Sequence, residues 1–414
     1  MSSDRPKVLF VAHDASRTGA PIGLLAFLRW LRGNSNYDFG ILLRSPGPLE
    51  AGLRELGPTV TLGTSFLYRT RLGRRLRGHL PRSLQTEARK IQRMFAAGSY
   101  DLIYANTMTN GAVLEALAST GVPVITHVHE LDYWIRRSGP QNLRQVLAHT
   151  TAFIAVSQAV RENLIRHHGV PPEKIAVIYE HIRELPPVPA ADAKAAARRA
   201  LGIPADALVV GGCGAEHWRK GRDLIPQLLL ALQRQNPARP VHFVWIGRPG
   251  NEEEEYTLAH DLRGAGVADR FHQSGEVDDP FQLYPALDVF ALLSREDPYP
   301  LACLEVAATE IPVVCFENAG GMPEFVRDGC GLAVPYLDVE NMAQAVHHLA
   351  DDPELSRAFG RQARAKVGKE NLLSVTAPQL RGVIEKLLGA KYTSSLPVNN
   401  PQVCAAGISP RIQA

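Results

Sequence analysis

Two blocks of alternating strand and helix, separated by a proline-rich stretch, constrain this chain more than any other feature. In the first block, "KVLFVAH" (7–13), "DLIYANT" (101–107), "VPVITHVHE" (122–130) and "TAFIAVS" (151–157) are short β-branched runs that read as buried strands. Helical stretches lie between them. After "DASRTG" a helix is predicted from about Ala20, with Pro21 in its first turn and Leu24, Leu25, Leu28 and Leu31 on one apolar face. The pattern breaks at "RELPPVPAADAKAAARRALGIPADA", a linker followed by a short helix. It then restarts with strands at "LVVGGCG", "VHFVWIG", "RFHQSG", "DVFALLS" and "IPVVCF". Alternation of this kind implies parallel sheets covered on both faces. The predicted fold is α/β, with two Rossmann-like, doubly wound domains facing a central cleft. The expected division is 1–186, 187–370, a helix over 371–389 placed to cross back to the first domain, and a loose tail at 390–414. A chain of 414 residues is long enough for this. Ligands of such sheets bind at the strand carboxyl ends, so the cleft is the expected site.

Bulk properties exclude other classes. A formal charge of +3 is too small to argue for nucleic acid. The five cysteines form no C-x-x-C pair and no zinc spacing, which fits free thiols in a reducing cytoplasm. The N-terminal apolar run, Val8 to Ala12, is too short for a signal-peptide core, and no stretch approaches the ~20 apolar residues of a membrane span. The chain is therefore expected to be cytoplasmic, soluble or peripheral on the inner face of a membrane. One local bias stands out. Residues 67–95, "LYRTRLGRRLRGHLPRSLQTEARKIQRMF", carry nine Lys/Arg and one acid, Glu87. This is either a solvated basic face or a docking surface for anionic lipid or a phosphorylated acceptor. No base-reading motif accompanies it, so no nucleic-acid partner is expected.

Two stretches carry candidate chemistry. In "VVGGCGAEHWRKGRDL" a strand ends in glycines, and a loop then presents Arg219, Lys220 and Gly221 before a helix. Small residues let backbone approach a ligand, and two cations at a helix start suit a pyrophosphate. There is no G-x-x-x-x-G-K-[ST] and no G-x-G-x-x-G, and a solvated basic turn is the bland alternative. In "SREDPYPLACLEVAATEIPVV", Pro298 and Pro300 end a loop and seed a helix. The first amides, of Leu301, Ala302 and Cys303, would face an anion there. Glu305 lies about one turn inside, where a carboxylate can accept from the two hydroxyls of a ribose diol. The bland alternative makes Asp297 a helix cap and Glu305 a solvated residue.

"WRKGRDL", "FVWIG", "SGEVDDPFQLYPALDVFALLSREDPYPLACLEVA" and "GGMPEFV", with "HDASRTGAP", "HVHEL" and "AVSQAV" in the first half, resemble the family 4 retaining glycosyltransferases of GT-B fold over residues 7–370. The resemblance implies a Glu-x7-Glu donor motif. Glu305 matches its ribose-binding second Glu. The first Glu, close to the transferred sugar, falls on Asp297 with Glu296 beside it, and either acid is a candidate for that role. Lys220 matches the family's loop lysine. Its partner arginine is replaced by Ala215, with Arg219 as the substitute. The N-terminal Gly-Gly loop near the donor phosphate is reduced to Thr18-Gly19-Ala20, and the family's Asn-Gly is missing at "VIYEHI". His129 matches the histidine near the reacting sugar; His127, on the same strand face, is its rival. The implied activity is transfer from a nucleotide-diphosphate sugar to a glycan or lipid-linked acceptor in surface polysaccharide assembly, with no metal and no other cofactor. A GT-B sugar-nucleotide epimerase and a non-catalytic sugar-nucleotide-binding protein are the rival readings.

Overall fold

The computed structural model describes residues 5–62, 81–190, 192–214 and 218–389, with only the backbone of 81–86. The first sheet has seven strands: β1 (Lys7–Ala12), β2 (Asp38–Leu43), β3 (Thr59–Thr61), β4 (Leu102–Asn106), β5 (Val124–Val128), β6 (Ala152–Ala155) and β7 (Ile175–Val177). The second has six: β8 (Leu208–Cys213), β9 (Val241–Ile246), β10 (Phe271–Gln273), β11 (Val289–Leu292), β12 (Val313–Phe316) and β13 (Gly331–Val334). Every pairing is parallel. The orders are β3-β2-β1-β4-β5-β6-β7 and β10-β9-β8-β11-β12-β13. Both reverse direction beside their first strand, between β1 and β4 and between β8 and β11. That reversal is the topological switch point at which a doubly wound sheet opens a crevice.

The predicted strands form where their apolar runs are. Val8 to Val11 and Val209 to Val210 are fully buried, as sheets covered on both faces require. Four strands gave no such signal. In β2, Gly40 interrupts the run because the Tyr100 hydroxyl lies where a Cβ would stand, 1.9 Å away. Strands β3 and β7 have three residues each, too few to show a period, and β13 begins with Gly331.

Two segments join the domains. Ile182 and Leu372 form a parallel bridge, with the Ile182 N–H donating to the Asn371 carbonyl and the Leu373 N–H to the Ile182 carbonyl, both at 2.9 Å. The C-terminal helix, Leu373–Leu388, then packs on the first sheet. Its Ala377, Leu380 and Ile384 belong to the cluster built on Phe10, Phe27 and Leu28. The domains also touch directly. The Glu324 carboxylate accepts from the Gln158 and Ala159 amides at the start of the helix Gln158–His168 and from the Tyr179 hydroxyl, and Tyr179 stacks on Tyr299 at 5.1 Å.

The basic residues at 67–80, Ala215 and the tail from 390 lie outside the described residues. The helix Pro81–Gly98 leaves Arg89, Lys90 and Arg93 exposed and buries Ile91. No described helix is long and apolar enough to cross a membrane.

Leu380→Ala should lower stability by about 2–5 kcal/mol, the cost of deleting a fully buried leucine. Urea unfolding followed on the whole chain checks this, and an unchanged midpoint would remove the C-terminal helix from the N-terminal core.

Candidate active site

The cleft is walled by two helix starts. On the N-terminal side β1 ends in a turn held by Asp14, which accepts from the Ser16 amide and hydroxyl, and the helix Gly19–Asn34 follows. On the other side Pro300 leads into the helix Leu301–Ala308. The two starts face each other closely: a Cβ on Gly19 would lie 3.7 Å from the Leu301 side chain. First-turn amides have no partner within their own helix. The starts at Gly19 and Leu301 are brought to the same gap. The Cys303 amide is not free there as expected, because it donates to the Pro300 carbonyl at 3.1 Å.

Beside this gap lies the turn Trp218–Lys220. It can close because Gly221 has φ +70° and a Cβ there would lie 1.9 Å from the Leu293 carbonyl oxygen. Lys220 Nζ is 2.6 Å from Asp297 Oδ2, and Arg219 is 3.4 Å from Asp297 Oδ1 while also donating to the Glu296 carbonyl. The Ser294 hydroxyl donates to Asp297 Oδ2. Asp297 is thus neither a helix cap nor solvated; it is buried with its charge met by two cations. Burial opposes its ionisation, but Lys220 and Arg219 outweigh burial and hold the carboxyl below the usual aspartate range.

Glu296 reaches the other way. Its Oε2 accepts from the Tyr133 amide, across the cleft at the start of the helix Asp132–Arg137. Its Oε1 is buried and, among the described residues, without a partner. Burial raises its pKa. Glu305 is not the solvated helix residue of the bland reading. Its Oε2 accepts from the Tyr284 hydroxyl at 2.8 Å, and burial pushes the carboxyl up. Cys213, at the end of β8, adjoins this pair; burial and Glu305 push its thiol up to about 12.

His129 follows β5 with both ring nitrogens engaged: Nδ1 with Glu180 Oε1 at 2.5 Å and Nε2 with Asn106 Oδ1 at 2.9 Å. It therefore presents no free nitrogen to a sugar in this structure. Its rival, His127, bonds the Tyr104 hydroxyl through Nδ1, and burial pushes its pKa down. Its Nε2 is buried without a partner among the described residues. Sequence reasoning missed Glu180, Asn106, Tyr284 and Ser294. Only Glu180 carried a signal, since it stands where the resembled family has Asn-Gly. Among the described residues no group of three or more His, Cys, Asp or Glu is arranged to hold a metal ion.

Two family models match the chain, Glycosyltransferase Family 4 over residues 18–183 and Glycosyl transferases group 1 over 205–352. The D-inositol 3-phosphate glycosyltransferase of Saccharomonospora viridis is 30% identical over 313 residues, covering 70% of this chain and 71% of that one. This chain belongs to the family 4 glycosyltransferases. It is accordingly a transferase of GT-B fold, and the epimerase and non-catalytic readings give way. Among solved structures, HepE of Anabaena in complex with UDP superposes with a TM-score of 0.75 at 21% identity, covering 91% of this chain and 99% of that one. WaaG, a glycosyltransferase involved in lipopolysaccharide biosynthesis, gives 0.68 at 14% identity over 91% and 99%.

Because Asp297 has a folded pKa below its unfolded value of about 3.9, its stabilisation is present above that value and is lost as pH falls through the folded one. Asp297→Asn should therefore cost about 3 kcal/mol near neutrality and flatten the stability profile below about pH 4. Denaturant melts from pH 3 to 7 check this, and profiles of equal slope would show that Asp297 is not ionised by its two cations.

Proposed function

We propose that the chain is a metal-independent, retaining glycosyltransferase that takes its sugar from a nucleotide-diphosphate donor. The observation that carries this reading is the meeting of two helix starts, at Gly19 and Leu301, beside Lys220 and Arg219. First-turn amides without a partner in their own helix, two helix dipoles and two cations would then meet the diphosphate as it leaves. They stabilise the charge that develops on it, which is the work a divalent cation performs elsewhere. Glu305, one turn inside its helix, takes the ribose hydroxyls, with Tyr284 holding one carboxylate oxygen. Glu296, whose Oε1 is buried and unpartnered among the described residues, receives a hydroxyl of the transferred sugar. Asp297 instead holds the cations in place, and the donor diphosphate shares them with it. The acceptor hydroxyl enters on the face the diphosphate leaves, and a diphosphate oxygen takes its proton.

The acceptor is a glycan or lipid-linked glycan of a surface polysaccharide. Anionic lipid is met through residues 67–95, on the cytoplasmic side, and co-flotation with anionic vesicles is the matching measurement. A second acceptor reading, an inositol phosphate, is favoured by the names of the sequence relatives, which are D-inositol 3-phosphate glycosyltransferases. A panel of UDP-, GDP- and ADP-sugars, assayed for nucleotide release with lipid-linked glycan, with D-inositol 3-phosphate and with neither, decides between them. Release without any acceptor beyond slow hydrolysis would count against transfer.

Glu305→Ala should weaken donor binding by about 10- to 100-fold, the loss of a charge-assisted hydrogen-bond pair. Lys220→Ala should lower turnover more than Arg219→Ala does. Calorimetry and steady-state kinetics check both, and unchanged donor affinity in Glu305→Ala would remove the ribose assignment. EDTA should leave turnover intact; its abolition by EDTA and recovery with Mg²⁺ or Mn²⁺ would overturn the metal-free reading.

A further inference from the structure

Four groups run in line from the linker to the donor side of the cleft. Glu180 Oε1 meets His129 Nδ1 at 2.5 Å, His129 Nε2 meets Asn106 Oδ1 at 2.9 Å, and Asn106 Nδ2 donates to the Ala20 carbonyl at 3.0 Å. Ala20 lies in the first turn of the helix that begins at Gly19. The line determines where its protons are. A carbonyl only accepts, so Asn106 must present Nδ2 to Ala20, which turns Oδ1 toward His129. Nε2 must then carry a proton. Nδ1 faces Glu180, whose carboxyl lies below the usual range and is ionised, so Nδ1 carries one too. His129 is an imidazolium.

We propose that Glu180 is a positioning residue for the turn at Gly19, keeping His129 doubly protonated so that its second N–H locks Asn106 onto the Ala20 carbonyl. This rests on the reading of Gly19 as a donor-diphosphate contact. If His129 lost a proton and kept its bond to Glu180, the Nε2 lone pair would face Oδ1. Flipping the Asn106 amide would relieve that contact only by setting Oδ1 against the Ala20 oxygen. Either arrangement leaves two acceptors in contact and releases the turn.

The surroundings select the charged state. His129 is flanked by Glu180 and His181 from the segment after β7, Glu130 and His127 from its own, and His13 from the end of β1. Burial pushes His13, His127 and His181 down, so these neighbours are neutral. Burial works against His129 as well, but Glu180, followed by Glu130, outweighs it and the pKa rises. Glu180 is held below the usual range, because His129 outweighs its burial.

The test has two readouts. Nitrogen-15 spectra of histidine-labelled wild-type chain, with His129→Gln for assignment, should show His129 doubly protonated at pH 7.5. A neutral ring there overturns the proposal, and this measurement needs no variant that must fold. The second readout is the affinity for UDP, GDP and ADP between pH 6 and 9. Glu180→Gln keeps an acceptor oxygen but not the charge, so the His129 pKa should fall by about one to three units. Affinity in this variant should begin to fall at lower pH than in wild type, and be about tenfold weaker, the value of one hydrogen bond, wherever the wild-type ring is charged and the variant's is not. Asn106→Ala should weaken binding at every pH, and adding Glu180→Gln to it should change nothing further. Coincident pH profiles for Glu180→Gln and wild type would overturn the positioning role. If the wild type binds none of the three nucleotides while His129 is charged, the donor reading itself fails and the proposed consequence falls with it.

Discussion

The buried carboxylate of Asp297 organises the C-terminal half of the site. Its side chain holds Lys220 and Arg219 from one loop and Ser294 from its own. Its backbone pairs with a third loop: the Asp297 amide donates to the Ala319 carbonyl, and Asp297 bridges to Gly320. Gly320 can approach because a Cβ there would lie 1.8 Å from the Asp297 oxygen. An isolated carboxylate at this depth would be neutral or strongly destabilising. With both cations in place it is ionised and brings three loops to one point, and the Leu301 helix begins beside them.

The two domains repeat one solution. Each sheet reverses at its first strand, and each reversal opens its carboxyl edge toward the same cleft. Neither half makes the gap between the Gly19 and Leu301 helices alone. Their separation depends on how the domains are joined, by the Ile182–Leu372 bridge, by the C-terminal helix on the first sheet, and by Glu324 on the Gln158 helix start. The same segment that bridges at Ile182 carries Glu180, whose carbonyl accepts from Asn371 Nδ2 at 3.0 Å. The linker is therefore continuous with the line of hydrogen bonds that reaches the Gly19 turn.

Much of this was legible from pattern. Eight strands announced themselves as apolar runs because parallel sheets are buried on both faces, β10 followed from the alternation around it, and the helix start after Pro300 was legible because proline restricts what can precede and follow it. Strands β2, β3, β7 and β13 escaped: glycine interrupts the first and opens the last, and the other two have three residues each, although β10, equally short, was legible within "RFHQSG". Within the site, residue type separated the cations from the acids, but pairing did not follow from type. That Asp297 faces Lys220 while Glu296 faces Tyr133 depends on which side of one turn each side chain leaves. Glu180, Asn106 and Tyr284 lie far in sequence from the groups they touch, and no local period connects a glutamate after β7 to a histidine after β5.

The departures from the family pattern make sense together as charge balance. Each wall of the cleft matches positive charge to a carboxylate: Lys220 and Arg219 to Asp297 on one side and, in its proposed doubly protonated form, His129 to Glu180 on the other. A bare cation buried in either wall would be costly without ligand, and a matched one is not. On the donor reading the two pairs then behave differently. Lys220 and Arg219 keep some solvent access, at 14% and 19% exposure, so an arriving diphosphate can share them with Asp297. His129 and Glu180, each at 7%, are closed in on each other and have no such exchange open to them. One pair is placed to respond to the ligand's charge, whereas the other fixes the backbone that meets it. An uncharged ligand would gain nothing from the first pair, so on that reading selectivity for diphosphates would arise on the C-terminal wall and the rigidity that makes it effective on the N-terminal one.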